Sequence, residues 1–154
     1  MNTITLSFNT QPISTNNIYR SSRSGGIRYK TKEYKAFEKI VENHIKKLSF
    51  SWNKFETAFS PYDHCLLCSI VVEVPGGEFI TKDGKVRSRR NDCDNWGKGI
   101  LDAVFKHFEK LDDAYIVNLN IAKIPSKDEH WHTTISLFKE NLDSILDNAK
   151  TKGR

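Results

Sequence analysis

Several absences narrow this chain before any motif is read. No apolar run among its 154 residues approaches membrane-spanning length, so no membrane partner is expected. The opening MNTITLSFNT has neither the basic start nor the apolar core of a signal peptide. Cysteine is scarce: three residues, an odd number, fit a reducing cytoplasm and exclude a disulfide framework. A chain of this length needs no such framework, since it buries on the order of 70% of its unfolded surface. There is no internal repeat, low-complexity tract or interdomain linker. The expectation is one domain over residues 1–139, with a short charged helix or tail over 140–154, in the cytoplasm. What is present in modest excess is positive charge, 24 basic against 19 acidic residues for a net +5. With a pI near 9.1, that favours an anionic partner without proving one.

Taken in order, Thr3 to Phe8 alternates, with Ile4, Leu6 and Phe8 on one face, which predicts a strand. A polar loop follows to Lys30, carrying Arg20, Arg23 and Arg28. A helix starts at Thr31 or Lys32, with Tyr34, Phe37, Val41, Ile45 and Leu48 as its apolar stripe. Phe50 to Pro61 is an aromatic connection expected to pack Phe50, Trp52, Phe55 and Phe59 over the core edge. Its first half can also extend the helix. His64 to Val74 reads as an apolar strand ended by Pro75-Gly76-Gly77. Glu78 to Arg90 reads as a hairpin around Asp83-Gly84, a favoured tight-turn pair. That hairpin carries Lys82, Lys85, Arg87, Arg89 and Arg90 against only Glu78 and Asp83.

The chain then reaches its most informative stretch, NDCDNWGKGILDAVFKHFEKLDD, from Asn91 to Asp113. Trp96, Ile100, Val104 and Phe108 recur every four residues, so one helix face is apolar, while Lys98, Asp102 and Lys106 share another. Asp94 or Asn95 is the expected N-cap. Asp92 and Asp94 thus stand at the positive end of a helix, and Asp112-Asp113 follow its far end. Some fifteen residues of helix span roughly 22 Å. The two acidic pairs meet only if the chain turns back after Leu111 and runs as a strand beside the helix start. YIVNLNIAKI, directly after Ala114, has that strand pattern. Converging carboxylates would make an all-oxygen site suited to Mg²⁺ or Mn²⁺. Strands over Tyr115–Ile124 and Trp131–Phe138 complete the order β-α-β-hairpin-α-β-β. The expected fold is α/β (α+β), a mixed sheet covered by two main helices.

The signature D-x-D-N-x-x-K-x-x-x-D followed by D-D-x-x-I, here Asp92, Asp94, Asn95, Lys98, Asp102, Asp112-Asp113 and Ile116, resembles the RusA family of Holliday-junction resolvases. A second match lies upstream, where Pro12, Ser14, Asn16 and Tyr19 follow the family's P-x-S-x-N-x-x-Y motif. The similar core spans roughly Thr3 to Lys123. The resemblance implies an endodeoxyribonuclease that acts as a homodimer on four-way junction DNA, in a family frequent in phages and prophages. It implies Mg²⁺, with Mn²⁺ as substitute, on Asp92, Asp94 and Asp113. Asp112 is an outer-shell or alternative ligand, Lys98 a charge that stabilises the transition state, and Asp102 a supporting residue. Asn16 would orient a phosphate or water and Tyr19 would pack or stack, in a loop with Arg20 beside the site.

Each assignment has a plainer reading. Aspartates at a helix start often only stabilise it, although one suffices and here there are two behind a basic hairpin. Asp102 can pair with Lys98 or Lys106 at i,i+4. Gly97 and Gly99 each cost about 1 kcal/mol relative to Ala inside a helix, which close approach of DNA or another helix, or a loosely formed first turn, would explain. Cys65 and Cys68 face opposite ways if they lie in a strand, so they do not chelate zinc together. His130 and His132 fall on one face of a strand with no third ligand. Two other functions stay open: a junction-binding protein with little cleavage, and a general Mg²⁺-dependent phosphodiesterase on branched or single-stranded DNA.

Overall fold

A computed structural model describes residues 2–87 and 92–152. The main sheet has four strands in the order β1-β6-β4-β5: β1 is Thr3–Phe8, β4 His64–Val74, β5 Ile116–Pro125 and β6 His132–Asn141. β6 runs antiparallel to both β1 and β4, whereas β4 and β5 are parallel. A parallel pair cannot be closed by a tight turn and needs a long crossover. That crossover includes helix α4, Asp94–Phe105. The mixed α+β architecture expected from the sequence is therefore the one observed.

Alternation along β1 and β4 sends Ile4, Leu6, Phe8, Leu66, Cys68, Ile70, Val72 and Val74 into one core. Helix α1, Lys32–Lys47, supplies Tyr34, Phe37, Val41 and Ile45 to it, as its periodicity predicts. Thr31 caps α1, its hydroxyl accepting from the Tyr34 amide at 3.3 Å. α4 lies beside α1 and adds Trp96, Ile100, Leu101, Val104 and Phe105. The Tyr34 hydroxyl bridges the two helices, donating to the Gly99 carbonyl at 3.0 Å. The sheet's other face is polar between β1 and β6, where Thr5 meets Ser136 and Ser7 meets Thr134 through their hydroxyls.

Several local expectations change. α4 ends at Phe105, so Phe108 lies beyond the helix, yet it stays buried by stacking on Trp52 at 3.9 Å. Residues 49–57 form a separate helix, α2, Ser49–Thr57, rather than prolonging α1. α2 buries Trp52 and Phe55 but turns Phe50 outward, 78% exposed, because one short helix cannot aim all its aromatics at one core. The loop before α1 contains a two-stranded ribbon of its own, β2 (Tyr19–Ser21) with β3 (Arg28–Lys30). A single-turn helix, α3, Gly76–Phe79, leads into the expected turn, where Ile80 bridges Val86. The last helix, α5, spans Leu142–Lys152 and leaves Leu146 half exposed. His130 lies in the turn before β6, and only His132 is on the strand. The His132 ring meets Asp128 at 2.8 Å and Asn9 at 3.0 Å, a clamp on the β5–β6 turn. Cys65 and Cys68 are both buried on β4, and burial pushes the Cys68 thiol up to about 12, which makes it unreactive.

Candidate active site

Helical spacing places Asp94, Lys98 and Asp102 on one face of α4, four residues apart. All three reach solvent, while the opposite face is core. Asp94 is the first helical residue and not the cap. Cys93 before it is already helical at φ −56° and ψ −41°, and no side chain caps the helix. The capping role that aspartates often fill at a helix start is not what these carboxylates do. Asp92, also exposed, holds the turn through its backbone carbonyl, which accepts from the Asn95 amide at 3.1 Å.

Lys98 pairs with Asp102 at 3.2 Å, resolving the choice left open between Lys98 and Lys106. Lys106 instead reaches Glu38 on α1 at 3.1 Å, together with Lys30 at 2.6 Å. The Lys98–Asp102 pair is open to water, so it is worth at most about 1 kcal/mol and is readily exchanged for another anion.

The second acidic pair arrives where the crossover ends. Asp112 Oδ1 accepts from the Ala114 amide at 2.8 Å, capping the 3₁₀ turn Asp113–Tyr115 that feeds β5. Partial burial raises the Asp113 carboxyl above its ordinary value. Asp112 and Asp102 raise it further, and Lys98 opposes them. The returning chain thus brings Asp113 into the field of the middle of α4, one to two turns beyond Asp94. Among the described residues, no three His, Cys, Asp or Glu side chains gather closely enough to hold a metal ion.

The upstream motif packs against the same helix. The Thr15 hydroxyl donates to the Asn95 carbonyl at 2.9 Å, fixing the 3₁₀ turn Thr15–Asn17 to the start of α4. Gly99 makes that fit possible: a Cβ there would lie 2.9 Å from the Ile13 carbonyl oxygen and 3.2 Å from Ile18 Cδ1. A Cβ on Gly97 would lie 2.7 Å from Ile121 Cδ1 on β5. Both glycines are therefore explained by packing within the chain. Asn16 and Tyr19 are exposed, with the Arg28 guanidinium 5.1 Å above the Tyr19 ring. Arg20 helps to line an open cavity of about 310 Å³, whose other walls include Gln11, Asn17, Glu33 and Trp96.

Lys82 and Lys85 stand exposed in the turn closed by Thr81 and Lys85. Arg87 is partly committed to the fold, its Nε donating to the Gly77 carbonyl at 2.9 Å. Lys123 of β5 donates to the Arg87 carbonyl at 3.1 Å, tying the basic turn to the strand that follows Asp113. Arg89 and Arg90 lie outside the described residues. Reading the sequence missed Thr15 as the joint between the two motifs. The one available signal was Gly99, which marks close approach without naming the partner.

No curated protein matches the chain. The family model described as endodeoxyribonuclease RusA matches residues 9–137, from the start of the upstream motif through most of β6. That span contains both motif segments, the basic turn and the whole crossover, and on this evidence the chain belongs to the RusA family of endodeoxyribonucleases.

Proposed function

We propose that this protein is a divalent-metal-dependent endonuclease that resolves four-way DNA junctions as a homodimer. The observation that carries the reading is the RusA-family match over residues 9–137, which takes in Asp92, Asp94, Lys98, Asp102, Asp112 and Asp113. An anionic cluster at a DNA-cutting site must be reconciled with phosphate, which it repels. Burial first, and then Asp112 and Asp102, raise the Asp113 carboxyl, and all-oxygen donors suit a hard cation such as Mg²⁺ or Mn²⁺. Asp92, Asp94 and Asp113 are the ligands proposed, with Asp112 in support. The bound cation would polarise the scissile phosphate and lower the pKa of water beside it.

The chain's own groups do the rest. Lys98 leaves Asp102 for the phosphate and offsets charge that builds in the transition state as the 3′-oxygen departs, leaving a 5′-phosphate. Asp102 holds Lys98 in place between turnovers. Lys82, Lys85 and Arg87, with Arg89 and Arg90 of the same segment, contact the DNA backbone, giving affinity more than base choice. Asn16, Tyr19 and Arg20 approach from the upstream motif. A junction requires two symmetric cuts, and a twofold dimer provides two acid clusters.

The test is cleavage of a four-way junction, a Y-fork and a linear duplex of equal length, with Mg²⁺ and with EDTA. Paired nicks confined to the junction and abolished by EDTA are expected. Equal cutting of fork and junction would replace the reading by a general phosphodiesterase, and tight binding without cutting would replace it by a junction-binding protein.

A further inference from the structure

The β2–β3 ribbon projects from the domain and belongs to neither the sheet nor the helical layer. Its three pairs are Tyr19–Lys30, Arg20–Tyr29 and Ser21–Arg28. Register therefore puts Arg20 and Tyr29 on one face, and Tyr19 and Arg28 on the other. One face carries Arg20 with Tyr29, and the other carries Arg28 and Lys30 with Tyr19. The tip is closed by the Ser22 amide and carbonyl, which bond Ile27 at 2.8 Å and Gly25 at 2.9 Å respectively. Arg23 and Ile27 stand on this tip, and Ile27 is 69% exposed.

The charge is one-sided. The first carboxylate of the chain is Glu33, beyond the ribbon. Lys30, at its base, is held by Glu38. Arg20, Arg23 and Arg28 form no ion pair with any described residue. Tyr29 is 50% exposed and Tyr19 37%. A ribbon that holds three arginines outside any described ion pair, with two partly exposed rings and not a single acid, is built for a polyanion. A second copy of the chain is a poor occupant, because twofold pairing of ribbons sets cation against cation.

We propose that this ribbon is a grip for a duplex arm of the DNA, entering a groove tip first so that its two faces meet the phosphate walls on either side. The proposal rests on the junction-cleavage reading for its substrate and extends the contacts at Tyr19 and Arg20 to Arg23, Ile27 and Arg28, remote in sequence from the basic turn. A two-stranded ribbon is narrow enough for a groove about 12 Å wide. Arg20 also lines the cavity bounded by Trp96, two residues from Asp94, so the ribbon's inner face is continuous with the start of α4. An arm held by the ribbon runs toward the acid cluster.

The experiment measures binding in EDTA, to a four-way junction and to a linear duplex, across a salt series. Arg23→Ala with Arg28→Ala should weaken both by roughly tenfold or more and lower the slope of log K on log salt by up to about 0.9 per lost phosphate contact. Ile27→Lys adds a cation at the tip and should bind tighter with a steeper slope, an outcome that misfolding cannot mimic. Unchanged slopes in both variants overturn the grip. So does loss of the dimer by sedimentation at unchanged slope, which would make the ribbon an interface between copies. If the wild type shows no junction preference while the ribbon variants still shift duplex binding, the junction reading fails and the grip stands.

Discussion

Thr15 and Asn95, eighty positions apart, are joined by a 2.9 Å hydrogen bond from hydroxyl to carbonyl. Together with the packing of Ile13 and Ile18 on Gly99, it ties the upstream motif to the start of α4. The bond orients the segment carrying Asn16 relative to the turn carrying Asp94. Thr15→Val keeps the shape and removes the donor, so stability should fall by about 1 kcal/mol. Urea unfolding reads that loss, and junction cleavage should fall more steeply than unfolding at the assay temperature explains. Cleavage equal to wild type would show that the joint is not needed for the site.

The two glycines of α4 separate cleanly by what surrounds them. Gly99→Ala drives a methyl against the backbone of Ile13, which cannot turn aside, and should cost about 1–3 kcal/mol. Gly97→Ala meets only the end of the Ile121 side chain, and the gain of about 1 kcal/mol in helix propensity offsets the adjustment. Denaturation midpoints should therefore drop for Gly99→Ala and change little for Gly97→Ala.

At the acid site the roles divide by charge. Asp94→Asn should abolish cleavage while junction binding persists or tightens, since a carboxylate that repels phosphate is gone. Lys98→Ala should lower the cleavage rate by about 10²–10³ with little change in affinity. Asp102→Asn only frees Lys98 from its exposed partner, so its effect should stay within about tenfold. Single-turnover cleavage beside gel shifts on the same preparations checks all three, and a Lys98→Ala enzyme cutting at the wild-type rate removes that lysine from the mechanism.

Asp113 carries a pH signature. Burial, then Asp112 and Asp102, raise its pKa in the folded chain, so folding disfavours its charged form. The penalty is present above the raised value and disappears as pH falls below the unfolded value near 3.9. In EDTA, Asp113→Asn should raise the thermal midpoint at pH 7 and leave it unchanged at pH 3. Adding Mg²⁺ should raise the wild-type midpoint and not that of the variant.

The layered fold was legible because its signals are local and strong. Alternation in Thr3–Phe8 and four-residue spacing in α1 and α4 fix which faces are buried, and burial follows them residue by residue. What escaped depends on contacts between distant segments. Phe108 continues the helical spacing past Phe105, yet its ring is held by Trp52 from another helix. Ser49 to Thr57 has no clear amphipathic period, so its independence from α1 was not written in the pattern. The ribbon was hidden because Ser, Gly and Arg suit a solvated loop equally well, and only pairing across the turn distinguishes the two.

The acidic residues were legible as types and spacing, but their grouping was not. Nothing local says that Asp113 faces Lys98 and Asp102, because that is decided by where the crossover lets the chain return. Gly97 lets α4 lie close against Ile121 of β5, the strand that Asp113 leads into.

The sheet order has a mechanical meaning for this site. Among the described residues, β5 is hydrogen-bonded within the main sheet on one side only, to β4, in a parallel pairing. The strand that Asp113 leads into is an edge strand, so it can open while β1, β6 and β4 remain zipped. Anything that clasps Asp113 to α4 closes that flap from outside. Its binding free energy then becomes protection of the β5 amides against exchange, and occupancy of the site is readable in a strand that does no chemistry.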